Sequence, residues 1–299
     1  MKNIGLIGLG KMGMGLVRNL HRNGYNPIGY DKNQDMYQEL QKENINIAQN
    51  MDDLISKLEK PRYVIMFVNA GAPTEAVFKE LIEKLEPGDC IIDAGNSYHK
   101  DSVKKYHIAK EHKLNFVDAG ISGGPSGALN GACAMVGGDR EVVEGLDKMF
   151  SDICVKNGYL HTGSIGSGHF AKMIHNGIEY GMMQAIAEGY QILENSDYEY
   201  DYKKVSDLWN NGSVIRSWLI ELMSDIFSQD KDLSGYTEIM SMNGEGLWTI
   251  QDALSQGTPA PVIGLSVMMR QVSLQEKNFA GKVISALRNK FGGHEIVKK

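Results

Sequence analysis

Between residues 169 and 179 the chain sets out an ammonium, an amide, two imidazoles and a carboxylate at helical spacing. At roughly 100° per residue, Lys172, Asn176 and Glu179 fall within an arc of about 60°, with His175 at one margin and His169 at the other. Phe170, Ile174, Ile178 and Ala185 point the opposite way. Gly177 and Gly181 lie on that side too; an interior helix glycine costs about 1 kcal/mol relative to alanine, so an approaching helix is expected there. One reading of the polar stripe is a solvated face, with a Lys172–Glu179 ion pair worth a few tenths of a kcal/mol. Histidine and asparagine add nothing to such a face. The other reading is chemistry. A lysine in a partly dry cleft is tuned towards base work by desolvation and back by a nearby carboxylate, and that carboxylate can serve as an acid. A base and an acid on one rigid helix suit a reaction with two proton transfers. Opposite a nicotinamide, the natural candidate is oxidation of an alcohol.

A nicotinamide cofactor is what the first residues call for. Gly8-Leu9-Gly10-Lys11-Met12-Gly13 follows an apolar run and opens a helical one. The first glycine permits a tight turn, the second lets a pyrophosphate approach the backbone, and the third lets helix and strand pack closely. The free N–H groups and dipole of the helix start favour the phosphate charge. Asp31 ends the second strand about twenty residues on, where a carboxylate accepts from both ribose hydroxyls of NAD and repels the 2′-phosphate of NADP. Lys32 partly offsets that repulsion, so NAD is the preferred cofactor and NADP the less favoured one. Val68, Asn69 and Asn96, at the ends of later strands, are expected to line the same cofactor site.

These residues need a scaffold. Short β-rich runs recur at Asn3–Gly8, Pro27–Asp31, Tyr63–Val68, Cys90–Asp93, Asn115–Asp118 and Ala132–Val136, with helical stretches such as Met12–Asn23 and Thr74–Leu85 between them. Apolar strands separated by helices imply parallel pairing buried on both faces, an α/β Rossmann-type doubly wound domain. From about Gly166 the pattern becomes helical: His169–Glu194, Val205–Ile215, Trp218–Phe227, Gly246–Ser255 and Pro261–Gln275. The expected organisation is a dinucleotide-binding domain over 1–164 and an all-α domain over 165–299 for substrate binding and dimerisation. The three tryptophans are expected to anchor helix packing. A chain of 299 residues is long enough for two such domains. Its net charge of −6, spread along the sequence, argues against a nucleic-acid surface. No apolar stretch reaches the ~18 residues of a membrane span, and the first run reads as a strand and not a signal peptide. The sparse Cys90, Cys133 and Cys154 fit a reducing cytosol and form no metal site, so a cytoplasmic, metal-free protein is expected.

Gly168-His169-Phe170-Ala171-Lys172-Met173-Ile174-His175-Asn176-Gly177-Ile178-Glu179-Tyr180-Gly181 resembles the signature of the decarboxylating 6-phosphogluconate dehydrogenases, within the β-hydroxyacid dehydrogenase superfamily. The fingerprint with Met12, then Ile92-Asp93-Ala94-Gly95-Asn96-Ser97 and Ile121-Ser122-Gly123-Gly124, match in their expected order. The resemblance covers nearly the whole chain, and the length is similar to that of the short, NAD-linked branch. It implies oxidative decarboxylation of 6-phosphogluconate to ribulose 5-phosphate and CO2, as in the pentose phosphate pathway. Lys172 would take the 3-hydroxyl proton and Glu179 would protonate C1 of the enediol. Asn176, with His175, Asn96, Ser122, Gly123 and Gly124, would position the substrate. Tyr180, Arg270 and a tail carrying Arg288 and His294 would hold its phosphate. In the family that tail reaches a neighbouring subunit's site, which implies a homodimer or homotetramer. The long branch carries a lysine on its Gly-x-Gly-x-Trp segment; here the segment is Gly244-Glu245-Gly246-Leu247-Trp248, preceded by Asn243, and Leu247 is apolar. Met135-Val136-Gly137-Gly138 is equally similar to sibling dehydrogenases of the 3-hydroxyisobutyrate type, the alternative enzyme reading. Those siblings typically lack the His-Asn-Gly-Ile-Glu-Tyr run. A non-catalytic NAD-binding regulator is the third reading, and it gives the Lys172, Asn176 and Glu179 set no use.

Overall fold

The computed structural model describes residues 3–292 and 295–296. The chain divides into two compact units, Met1–Asn176 and Gly177–Lys299. The first begins with β1 (Asn3–Ile7), α1 (Lys11–Arg22), β2 (Asn26–Tyr30), α2 (Tyr37–Lys42), β3 (Asn46–Ile47) and α3 (Met51–Ser56). It continues with β4 (Tyr63–Met66), α4 (Ala72–Lys84), β5 (Cys90–Asp93), α5 (His99–Glu111), β6 (Asn115–Ser122) and α6 (Gly124–Asn130). β7 (Ala132–Gly138), α7 (Arg140–Glu144), α8 (Asp147–Ile153) and β8 (Cys154–Gly163) follow, before α9 (Ser167–Glu194).

Among the described residues the strands form one sheet in the order β3-β2-β1-β4-β5-β6-β7-β8. The apolar runs read as strands because they are buried on both faces. Ile65, Ile92 and Val117 join Leu6, Leu16, Val17 and Leu20 in one core cluster. Their neighbours Val64, Met66, Ile91 and Phe116 join Leu54, Phe78 and Leu81 in another. Each such side chain contributes about 1.5–3 kcal/mol by leaving water.

The sheet is parallel from β3 to β6, but β7 runs antiparallel to β6, with Ser122 opposite Cys133 and Ala119 opposite Val136. Uniform parallel pairing was the expectation. The connector from Gly123 to Gly131 is shorter than the dozen or so residues a parallel crossover needs, so the chain turns back. β8 was not expected at all. It is an edge strand with Val155 and Leu160 on the outside, 52% and 64% exposed, and so lacks the apolar signal of a buried strand.

The second unit holds the rest of α9 and then α10 (Tyr202–Asn210), α11 (Trp218–Gln229), α12 (Glu245–Ser255), α13 (Pro261–Ser273) and α14 (Phe279–Gly292). α10 stops at Asn210, short of the expected Ile215, because Gly212 turns the backbone left-handed at φ +77°. α11 starts at a cap instead, the Ser217 hydroxyl accepting from the Ile220 N–H. Tyr190 fills the packing between α9, α10 and α11, with its ring against Tyr202, Trp209 and Phe227. Trp218 is half-exposed, so it is not the packing anchor that its type suggested. The α9 glycines behave as expected. A Cβ on Gly177 would meet Thr249 of α12 at 2.7 Å, and one on Gly181 would meet Val262 of α13 at 3.3 Å. Ile178 on the same side remains exposed, so neighbouring helices cover that back only in part.

Candidate active site

The Gly8–Gly13 turn leaves β1 where the sequence places it, and its glycines divide the work. Gly8 has φ +101°, a conformation that other residues rarely adopt, and a Cβ there would strike the Phe67 carbonyl oxygen at 2.3 Å. A Cβ on Gly13 would lie 1.9 Å from the Gly8 carbonyl oxygen, so only glycine lets α1 start this close to its own turn. Gly10 caps α1 with no side-chain hydrogen bond, and nothing stands within 4 Å of where its Cβ would be. That open, uncapped helix start suits a pyrophosphate. Lys11 is exposed and Met12 half-buried beside it. The Asp31 carboxylate accepts from the Leu9 N–H at 2.6 Å and from the Asn33 N–H at 2.8 Å. It is thereby locked against the turn, with lone pairs left for two ribose hydroxyls. The donor and acceptor set fits a nicotinamide dinucleotide.

β1, β4, β5 and β6 are mutually parallel, so the segments leaving their carboxyl ends share one edge of the sheet. Val68 and Asn69 follow β4 there, half-buried and exposed respectively. The Asn69 carbonyl accepts from the Thr74 hydroxyl at 2.7 Å, which fixes this loop to α4. After β5, the fully buried Asp93 accepts from the Ser97 hydroxyl at 2.9 Å and the Gly95 N–H at 3.2 Å, leaving Asn96 exposed at the tip. Ser122 ends β6, and Gly123 and Gly124 follow it. The helix they open, α6, lies against α1, and a Cβ on Gly15 would meet Leu129 and Pro125 backbone atoms at 3.0 Å. The serine and its two glycines are thus tied to the dinucleotide helix.

Lys172 arrives at this edge through a set of absent side chains. A Cβ on Gly120 would overlap the Lys172 Cβ at 2.2 Å, and one on Gly168 would meet the Asp118 and Met135 carbonyl oxygens at 2.6 and 2.5 Å. Buried Asp118 holds the start of α9, accepting from the Gly166 and His169 N–H groups, each at 2.7 Å. A carboxylate at a helix N-terminus is also favoured by the dipole. His169 is buried, with Nδ1 2.7 Å from the Ser102 hydroxyl. It braces the helix against α5 from the margin of the polar stripe.

The stripe itself forms a continuous hydrogen-bonded chain. Lys172 and Asn176 are 5% and 6% exposed, which rules out the solvated-face reading for them. Lys172 Nζ donates to Asn176 Oδ1 at 2.5 Å. His175 Nδ1 is 3.0 Å from the same oxygen, and its Nε2 is 3.2 Å from the Ser122 hydroxyl. With the acceptor oxygen of Asn176 on one side, the imidazole donates from Nδ1 and bridges the amide to the Ser122 hydroxyl. Lysine, asparagine, histidine and serine are therefore set in one relay at the carboxyl edge of the sheet. Glu179 follows on the same helix, half-buried.

In the second unit Tyr180 is buried, with its hydroxyl donating to Asn243 Oδ1 at 3.0 Å. The Arg270 guanidinium stacks 3.9 Å from the tyrosine ring centroid. Burial pushes the Tyr180 phenol up, and Arg270 opposes that. Arg288 is exposed on α14, and His294 lies outside the described residues. No group of three or more candidate metal ligands occurs among the described residues, and no described helix is long and apolar enough to cross a membrane.

Spacing alone missed the supports: Asp93, Ser97, Asp118, Gly120 and Gly168. Aspartates inside otherwise apolar strands were the available signal for two of them, since a buried carboxylate must be satisfied by donors.

A family model described as the NAD binding domain of 6-phosphogluconate dehydrogenase matches residues 3–163, and one described as the C-terminal domain of 6-phosphogluconate dehydrogenase matches residues 168–289. The chain is 48% identical over 296 residues to the Bacillus subtilis protein YqeC, which provisionally bears the same enzyme name, covering 99% of each. It is 34% identical over 298 residues, again 99% of each, to the NAD(+)-dependent, decarboxylating 6-phosphogluconate dehydrogenase of Haloferax volcanii. Among solved structures it resembles Plasmodium falciparum 6-phosphogluconate dehydrogenase with a TM-score of 0.83 at 28% identity, over 99% of this chain and 66% of that one. A Mycobacterium tuberculosis 3-hydroxyisobutyrate dehydrogenase shares the fold at a TM-score of 0.72 and 20% identity, over 91% and 92%.

Proposed function

This chain belongs to the 6-phosphogluconate dehydrogenase family, and on that premise we propose that it oxidises and decarboxylates 6-phosphogluconate to ribulose 5-phosphate and CO2, with NAD preferred over NADP. The observation that carries the reading is the Lys172–Asn176–His175–Ser122 relay, set on the sheet edge that also bears the Gly8–Gly13 turn. The part up to Ser164 holds the cofactor. The part from Ile165 onward serves the substrate and dimerisation. NAD, when bound, supplies the hydride acceptor. Lys172, entering as the free amine, takes the proton of the 3-hydroxyl as that carbon is oxidised, and so becomes the ammonium. Asn176 fixes the amine through Oδ1, and His175 holds Asn176 in turn. The product is a β-keto acid, which loses CO2 readily once its ketone oxygen is stabilised. The Lys172 ammonium supplies that stabilisation at the developing enolate. Glu179 then protonates C1 of the enediol. Ser122, Gly123, Gly124 and Asn96 position the carboxylate and hydroxyls. Tyr180 and Arg270, with Arg288 and His294 of the tail, hold the far end of the substrate. The protein works as a homodimer or homotetramer, the tail completing a neighbour's site.

The test mixes protein, NAD and 6-phosphogluconate and follows reduced cofactor and CO2 together. Both signals in equal amounts are expected. Cofactor reduction only with short hydroxyacids moves the protein to the 3-hydroxyisobutyrate type, and cofactor binding with neither signal makes it a regulator.

A further inference from the structure

The far-end cluster contains an acid as well as a base. Asn243 Oδ1 accepts from the Tyr180 hydroxyl at 3.0 Å while its amide nitrogen donates to Glu245 Oε2 at 3.0 Å. Glu245 returns its backbone N–H to Asn243 Oδ1 at 3.2 Å, so the amide is clamped between phenol and carboxylate. Glu245 is 2% exposed and begins α12. The next residue must be glycine, since a Cβ on Gly246 would lie 2.6 Å from the Tyr180 ring, and this brings the carboxylate's helix directly against the phenol. Arg270 lies over that ring, 9% exposed, with Nε buried and unpaired among the described residues. One guanidinium and two carboxylates, Glu245 and then Glu179, thus bear on the same phenol, and the carboxylates act on it with the opposite sign to Arg270.

That balance matters for what the cluster can hold. A phosphate monoester brings close to two negative charges at neutral pH and is best met by unopposed cations. A terminal hydroxyl needs only a donor and an acceptor, which Tyr180 and Asn243 supply. We propose that Glu245 is a specificity-determining residue, which withholds net positive charge from the Tyr180–Arg270 end so that sugar acids ending in a hydroxyl are accepted alongside their phosphate esters. The inference rests on the reading of Tyr180 and Arg270 as far-end ligands.

The test measures kcat/KM for NAD reduction with 6-phosphogluconate and with gluconate, in the wild type, in Glu245→Gln and in Asn243→Lys. The glutamine keeps an acceptor for Asn243 and removes the charge. The lysine, at an exposed position, pairs with Glu245 and leaves Arg270 unopposed. In each variant the ratio of 6-phosphogluconate to gluconate rises about tenfold, through KM for the phosphate ester, because the negative charge behind Asn243 has been removed or neutralised. Ratios within twofold of wild type in both variants overturn the proposal, and an unfolded Glu245→Gln leaves Asn243→Lys to decide. If the wild type reduces NAD with neither compound, the proposed activity fails on its own. The same comparison is then read from calorimetric affinities for 6-phosphogluconate and gluconate. A tenfold gain for the phosphate ester alone sustains the role of Glu245, and equal affinities, or no binding of either, overturn it.

Discussion

In the proposed reaction, Lys172 carries the chemistry and Asp31 the choice of cofactor, and each makes a separate prediction. Lys172→Met keeps the apolar stem that lies over Gly120 and removes the amine that Asn176 holds. Turnover with 6-phosphogluconate should fall by at least the ~10²–10⁴ that a positioned base supplies. NAD affinity, measured by fluorescence titration, should stay within twofold, because the Gly8–Gly13 turn is untouched. A variant with near-normal turnover would remove Lys172 from the mechanism. Asp31→Ser retains a small acceptor for the Leu9 N–H and deletes the charge that opposes a 2′-phosphate. The ratio of kcat/KM with NADP to that with NAD should rise at least about tenfold, equivalent to ~1.4 kcal/mol. An unchanged ratio would mean that Asp31 does not read the ribose.

At the scale of elements, the precision of the site comes from how closely α9 settles on β6 and β7. Gly120 is the tightest point of that contact. Gly120→Ala should cost about 1–3 kcal/mol through overpacking. It should lower Tm by several degrees and kcat together while leaving NAD affinity intact; a Tm and kcat equal to wild type would show that the helix has slack. This support was not legible in the sequence, because Gly120, Gly168 and Asp118 meet only after the chain has closed a loop of some fifty residues. The local relations were legible. Gly8, Gly13 and Asp31 sit at spacings set by one strand–turn–helix unit, and Lys172 and Asn176 by one turn of helix. The central strands were legible because burial on both faces leaves continuous apolar runs. The reversal into β7 was not, since the same run of residues serves a parallel or an antiparallel neighbour, and only the length of the connector separates the two.

For the whole molecule, the outward faces of the second unit are conspicuously apolar. Val262, Leu265, Met268 and Val272 line one side of α13, each more than half exposed, and Phe279, Ile284 and Leu287 do the same on α14. An exposed apolar helix face of this kind marks a surface that another protein covers. With the proposed homodimer as that partner, light scattering should give at least twice the 33.1 kDa of one chain. Leu265→Glu should return the monomer mass and lose most of the activity. A wild-type monomer would break the proposal of a shared site.

The seat of Lys172 over Gly120 also has an entropic consequence. A free lysine side chain gives up on the order of 1.5–2 kcal/mol of rotamer freedom when it is pinned. Here the stem is walled in by the sheet and its tip is tethered to an amide before any ligand arrives. The cost of immobilising it is therefore charged to folding, and a substrate that docks against it gains an already stationary partner.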